Sequence, residues 1–71
     1  MPLVRIEFLA GRSAEQKNEL IKQVSAAVVR TLSVAPEQVR VLLFEMPPEH
    51  WAVGGVTMAE RAQSQQTPSK Q

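Results

Sequence analysis

The sequence predicts an α+β fold, in which a β-α-β unit with two parallel strands is followed by a short C-terminal β-hairpin. Three patterns lead to this prediction: a strict two-residue alternation near the N-terminus, a long helical stripe after it, and the apolar run "VRVLLFEM". A strand, a helix and a strand at these distances form a right-handed crossover, which makes the two strands parallel. We expect oligomerisation to complete this fold, because 71 residues bury too little surface for a self-sufficient core.

The first predicted element is a strand from Pro2 to Leu9. Apolar side chains on one face alternate with Arg5 and Glu7 on the other, and the apolar set is Val4, Ile6 and Phe8. Pro2 fits the first residue of a strand, where its missing N–H costs no ladder bond. A segment with flexible Gly11 then ends the strand.

The second predicted element is a helix from about Ala14 to Leu32. Ser13 and Gln16 match a capping box at its start. Apolar and small residues follow at helical spacing, namely Leu20, Ile21, Val24, Ala27, Val28, Thr31 and Leu32. Pro36 prevents any continuation of the helix.

The second strand runs from Val39 to Met46 and is apolar on both faces apart from Arg40 and Glu45. Such a run is typical of a strand that is covered on both sides. After it, the pair Gly54-Gly55 predicts a two-residue hairpin turn. We therefore predict a domain over residues 1–62 and a polar, disordered tail over residues 63–71.

Composition excludes several classes of protein. The chain has no cysteine and one histidine, His50, which excludes disulfides and a zinc cage and leaves oligomerisation as the means of stabilising a small domain. A net charge of +1 without a basic run argues against nucleic acid as a partner. No segment is apolar enough to span a membrane and no signal peptide is visible, so we expect a cytoplasmic protein.

Three residues are candidates for chemistry. Pro2 is either an ordinary strand start or, after removal of Met1, a free secondary amine that can act as a base. Arg12 follows a glycine at the positive end of the predicted helix. Arg40 lies in an apolar strand, where it either pairs with a glutamate of a neighbouring subunit or binds an anionic ligand at a subunit boundary.

The Met-Pro start, "GRSAEQK", "VRVLLFEM" and "HWAVGG" occur in this order between Pro2 and about Met58. Together they closely resemble the small-subunit type of the 4-oxalocrotonate tautomerase family. The resemblance implies a homo-oligomer, usually a hexamer built as a trimer of dimers. It also implies an isomerase of aromatic hydrocarbon catabolism that moves protons in unsaturated 2-hydroxy and 2-oxo acids, such as 2-hydroxymuconate, without a cofactor or a metal.

The resemblance further implies roles for particular residues. Pro2 matches the catalytic base, Arg12 the arginine that holds the far carboxylate, and Arg40, from a neighbouring subunit, the arginine that binds the near carboxylate and oxo group. Leu9 matches a position whose backbone amide lies near a substrate oxygen. Trp51 stands where the family usually has a phenylalanine, so it keeps an apolar wall beside the amine but narrows the pocket.

Two other readings follow from the same resemblance. A hydratase or dehalogenase of the superfamily would need a water-activating acid, and the hairpin loop offers none. An inactive or differently active member would serve as a small-molecule binding or assembly module. Retention of Met1 would favour the second reading, because the nitrogen of Pro2 would then be an amide.

Overall fold

The computed structural model describes the backbone of residues 1–66 and the side chains of residues 1–63. Two strands and a long helix form the β-α-β unit, which is followed by a hairpin and a second helix. In chain order these elements are β1 (Leu3–Leu9), α1 (Ala14–Leu32), β2 (Arg40–Met46), β3 (Ala52–Val53), β4 (Val56–Thr57) and α2 (Met58–Gln66). Both predicted strands of the unit are present, each one residue shorter at its start.

The strands β1 and β2 are parallel, which confirms the predicted crossover. Their register runs from Leu3 opposite Arg40 to Leu9 opposite Met46. The ladder is extended at both ends, because the N–H of Arg40 donates to the carbonyl of Pro2 (3.0 Å) and the N–H of Ala10 donates to that of Met46 (2.9 Å). The two ends of β1 are therefore both fixed to β2.

Helix α1 has the predicted bounds, and its first turn contains the predicted capping box. The N–H of Gln16 donates to the Ser13 hydroxyl (3.1 Å), while the N–H of Ser13 donates to the Gln16 side chain (3.0 Å). An ion pair of 2.9 Å between Lys17 Nζ and Glu45 Oε2 joins the helix to β2. Glu45 therefore lies on the sheet face that α1 covers.

The other face of the sheet is open in the described part of the chain. No side chain among residues 1–63 is fully buried, although half-buried apolar residues line the face under α1. On the open face Leu3 is 59% exposed and Leu42 is 40% exposed. A single chain thus encloses no complete core, which agrees with the expectation that other copies cover this face.

The hairpin turn is formed as predicted. Gly54 and Gly55 both have positive φ, at 61° and 83°, and connect β3 to β4. Glycine adopts such a conformation at both central positions of a two-residue turn without steric cost. The turn therefore brings the chain back beside Trp51, whose carbonyl accepts a hydrogen bond of 2.7 Å from the N–H of Met58.

The structure corrects one prediction about the C-terminal segment. Helix α2 extends to Gln66, so residues 63–66 are helical where a disordered tail was expected, and the proposed boundary at residue 62 falls inside the helix. The start of this helix is stabilised by a second capping pair. The N–H of Thr57 donates to Glu60 Oε1 (2.9 Å) and the N–H of Glu60 donates to Thr57 Oγ1 (3.1 Å). The remainder of the predicted tail, residues 67–71, lies outside the described residues.

Within residues 1–66, neither helix has the length and apolar character that crossing a membrane requires.

Candidate active site

Pro2 and Arg40 lie together at the N-terminal end of the sheet. The hydrogen bond from the Arg40 N–H to the Pro2 carbonyl holds the two backbones side by side. Pro2 is half-buried and Arg40 is exposed. Pro2, the predicted base, and Arg40, one of the two predicted substrate-binding arginines, therefore lie next to each other on adjacent backbone segments.

The guanidinium of Arg40 is held by the chain but is not neutralised by it. Its Nη1 donates to the carbonyl of Glu37 at 3.2 Å. The ion pairs formed among residues 1–63 are Arg5–Glu7 and Lys17–Glu45, and neither includes Arg40. Both readings of Arg40, an ion pair with a neighbouring subunit and an anion-binding group, are consistent with this arrangement.

Leu9 and Arg12 lie at the opposite end of β1. Between them Gly11 has φ of +130°, a conformation that residues with a Cβ rarely adopt, and this turns the chain from β1 towards α1. Exposed Arg12 borders a cavity of about 280 Å³ between β1 and the first turns of α1. The other lining residues of this cavity are Ile6, Phe8, Gln16, Lys17 and Leu20.

The backbone amide of Leu9 is directed away from β2. In the ladder, the carbonyl of Pro2 and the N–H of Ala10 both bond to β2, so the even-numbered residues of β1 point their backbone groups inward. Because successive strand residues point these groups to opposite sides, the N–H of Leu9 faces the outer edge of β1. This orientation leaves the amide available to a ligand or to another chain.

Trp51 lines a second cavity of about 310 Å³, at the same end of the sheet as Leu9. Its other lining residues are Glu7, Met46, His50 and Ala52. The sequence did not lead us to expect Glu7 or His50 here. Because side chains alternate along a strand, Glu7 lies on the same face of β1 as Leu9. This alternation is the sequence pattern that could have indicated the position of Glu7.

A single chain does not bring the predicted site residues together. Pro2 and Arg40 mark one end of β1, whereas Leu9, Arg12 and Trp51 cluster around the other end. Six residue steps of a strand separate these ends by roughly 20 Å. The predicted site residues of one chain thus fall into two separate groups, which are called half-sites below.

Residues 2–61 match the family model described as "Tautomerase enzyme". The chain belongs to the 4-oxalocrotonate tautomerase family. Among known proteins, it is 47% identical over 55 residues to a 2-hydroxymuconate tautomerase of Pseudomonas putida, an alignment that covers 78% of this chain and 87% of that protein. The family of the resemblance is thus confirmed.

Solved structures of this tautomerase family support the same assignment. One of the 4-oxalocrotonate tautomerase isozymes from Methylibium petroleiphilum superposes with a TM-score of 0.85 at 43% identity, covering 89% of this chain and 98% of that one. A heterohexamer 4-oxalocrotonate tautomerase from Chloroflexus aurantiacus superposes with a TM-score of 0.80 at 50% identity, covering 84% and 97%. The chain is therefore a tautomerase, an isomerase, with the β-α-β fold of this family.

Proposed function

We propose that this tautomerase interconverts unsaturated 2-hydroxy and 2-oxo acids such as 2-hydroxymuconate, without a cofactor, and that Pro2 is its general base once Met1 is removed. The observation that carries the proposal is that the family match starts at Pro2 and that a relative 47% identical acts as a 2-hydroxymuconate tautomerase. The proposal places the enzyme in the cytoplasm.

The proposed reaction is an isomerisation in which one proton is removed and one is returned. The nitrogen of Pro2 takes the proton of the 2-hydroxyl group, the oxygen lone pair forms the 2-oxo double bond, and the conjugated double bonds shift along the chain. Pro2 then returns the proton to a carbon further along that chain. The nitrogen of Pro2 can act as this base only when Pro2 is the terminal residue, because it is then a secondary amine, whereas the amide nitrogen of an internal proline is not basic.

The two arginines have complementary roles in this proposal. A guanidinium binds a carboxylate with two parallel hydrogen bonds, which fixes the direction of the substrate. Arg40 would hold the near carboxylate and the 2-oxo oxygen, and Arg12 the far carboxylate. Both cations also stabilise the negative charge that develops when the 2-hydroxyl group loses its proton.

The separation of the half-sites supports a site shared between subunits. Pro2 of one subunit would face Leu9, Arg12 and Trp51 of a second. The Arg40 of this site would come from a further neighbouring subunit, and not from the chain that supplies Pro2. We include in the proposal a homo-oligomer, with a hexamer built as a trimer of dimers as its expected form. The apolar ring of Trp51 would form the wall that keeps water from the amine of Pro2.

Three measurements test the role of Pro2. The intact mass of the purified chain is expected to be lower by one methionine residue. With that established, Pro2→Ala is expected to lower kcat for 2-hydroxymuconate by about tenfold or more, up to the 10²–10⁴ that a general base usually contributes, because a primary terminal amine replaces the secondary amine. A chain with one bulky residue inserted between Met1 and Pro2 should lose activity as well, because the proline nitrogen then stays an amide.

The matched control is Pro36→Ala, which changes a proline in the turn before β2. It is expected to retain wild-type kcat. If Pro2→Ala turned over 2-hydroxymuconate at the wild-type rate, or if Met1 remained on a fully active chain, Pro2 would not be the base. Loss of the oligomer in the Pro2 variant, checked by sedimentation, would instead indicate a structural role.

A further inference from the structure

We propose that Thr57 and Glu60 are positioning residues, and that the helix cap which they form at the start of α2 holds Trp51 at the wall of the proposed active site. This inference rests on the proposed function, in which the ring of Trp51 lies beside the amine of Pro2. It adds two residues that act through Trp51 and take no part in the chemistry themselves.

Trp51 lies between two short pieces of structure. Before it comes a single 3₁₀ turn, Pro48–His50, and after it comes β3, which has two residues. Such short pieces supply little stability of their own, since even an isolated two-stranded hairpin is only marginally stable in water. The place of Trp51 therefore depends on what lies beside this segment.

Helix α2 lies beside the segment and is bonded to it. The helix lies against the turn Pro48–His50. The N–H of Met58, the first residue of α2, donates to the carbonyl of Trp51 at 2.7 Å, and a donor in the first turn of a helix has no partner within the helix. Thr57, the residue before α2, pairs with Ala52, the residue after Trp51. The backbone on both sides of Trp51 is thus in contact with the start of α2.

The start of α2 is fixed in turn by Thr57 and Glu60. The Oγ1 of Thr57 accepts a hydrogen bond from the N–H of Glu60 (3.1 Å), and the Oε1 of Glu60 accepts one from the N–H of Thr57 (2.9 Å). Thr57 is also the last residue of β4, so this reciprocal cap joins the end of the hairpin to the first turn of the helix. The cap therefore sets the direction of the Met58 N–H that binds Trp51.

Few other contacts stabilise α2. Nine residues are too few for a helix that is stable alone in water. Among its side chains in the range 58–63, Met58 and Ala59 are half-buried and the others are exposed. The cap is thus a large part of what keeps the first turn of α2 formed, and its loss would release the backbone of Trp51.

Removal of each capping group tests the proposal. Thr57→Val removes the hydroxyl and keeps the shape of the side chain, and Glu60→Ala removes the carboxylate. The loss of one helix cap shifts the balance between an ordered and a displaced segment by about fivefold to tenfold. We therefore expect kcat for 2-hydroxymuconate to fall by about twofold to tenfold in each variant. The double variant should lose less than the two losses combined, because both substitutions break the same cap.

Trp51 itself supplies a readout that does not depend on activity. It is the only tryptophan of the chain, which has no tyrosine, so fluorescence excited where phenylalanine does not absorb reports on this side chain alone. Release of the segment exposes the half-buried ring to water. Emission should then move to longer wavelength and quenching by acrylamide should increase, under conditions in which circular dichroism shows a folded chain.

Conservative variants separate the cap from other effects of the substitutions. Thr57→Ser keeps a hydroxyl, and Glu60→Gln keeps a side-chain oxygen, the acceptor that Gln16 supplies in the cap of α1. Both should retain the wild-type emission and kcat. Ser13→Ala, which removes the hydroxyl cap of α1, should lower the stability of the chain and leave the emission of Trp51 unchanged.

Three results would overturn the proposal. Wild-type emission in Thr57→Val and Glu60→Ala would show that the cap does not position Trp51. An equal effect of Glu60→Gln would assign the role of Glu60 to its charge. Shifted emission with wild-type kcat would show that the reaction does not depend on the position of Trp51. A wild-type chain that left 2-hydroxymuconate unchanged would instead contradict the proposed function, and the fluorescence would still decide whether Thr57 and Glu60 position Trp51.

Discussion

At the scale of single residues, Arg40 has two possible roles, substrate binding and support of the structure, and its contacts bear on the choice. Its backbone is bonded to Pro2, while its guanidinium has a carbonyl partner and no carboxylate among residues 1–63. In the proposed site, a cation fixed in this way could bind an anionic group of the substrate. The carbonyl of Glu37 restricts the side chain without neutralising it.

We therefore expect Arg40→Ala to lower kcat/KM for 2-hydroxymuconate by about tenfold to hundredfold, which corresponds to the roughly 1.5–3 kcal/mol of hydrogen bonds to charged groups. Arg40→Lys should retain part of the activity, because it keeps the charge and loses the bidentate geometry. Steady-state kinetics on both variants, with Arg30→Ala as an exposed arginine control, measure this effect. An unchanged kcat/KM together with a weakened oligomer would assign Arg40 to an ion pair between subunits.

At the scale of elements, the turn between β1 and α1 depends on Gly11. Its φ of +130° is strained for any residue with a Cβ, although a Cβ at this position would meet no other atom within 4 Å. The cost of a substitution is thus one of backbone conformation and not of crowding. Gly11→Ala is expected to lower the free energy of unfolding by about 1–3 kcal/mol, as measured by urea denaturation.

Ala10→Gly is the control for that variant, since it changes the exposed neighbour without demanding a new φ. It should cost about 1 kcal/mol or less. If Gly11→Ala were as stable as the wild type, the turn would tolerate another conformation, and the direction of Arg12 would not depend on glycine.

The elements also show what the sequence could predict. Alternation in β1 and the Ser13–Gln16 pair gave the strand faces and the helix start, because both patterns are local. The same local rule would have found α2 from Thr57 and Glu60, which the polar composition of the segment concealed. Alternation also indicated that Glu7 shares a face of β1 with Leu9, but the cavity that Glu7 lines with Trp51 was not predictable in this way, since it depends on how the chain returns after β2.

At the scale of the whole molecule, stability and assembly are expected to be inseparable. No side chain among residues 1–63 is fully buried, and the outward edges of β1 and β2 have no strand neighbour there. A chain of this length buries little apolar surface when it folds. Here it buries even less, because apolar side chains on the open face stay exposed. In the proposed function, the residues of one active site also come from different copies of the chain.

The last prediction follows from this coupling. For a dimer, tenfold dilution removes about 1.4 kcal/mol of apparent stability per dimer, so Tm should fall by about 3–6 °C for each tenfold dilution. Thermal unfolding followed by circular dichroism at three protein concentrations measures this, and Pro2→Ala should show the same dependence because its change is chemical. A Tm that is constant over a hundredfold dilution, with native circular dichroism, would mean that the open face is stable in water and that one copy folds alone.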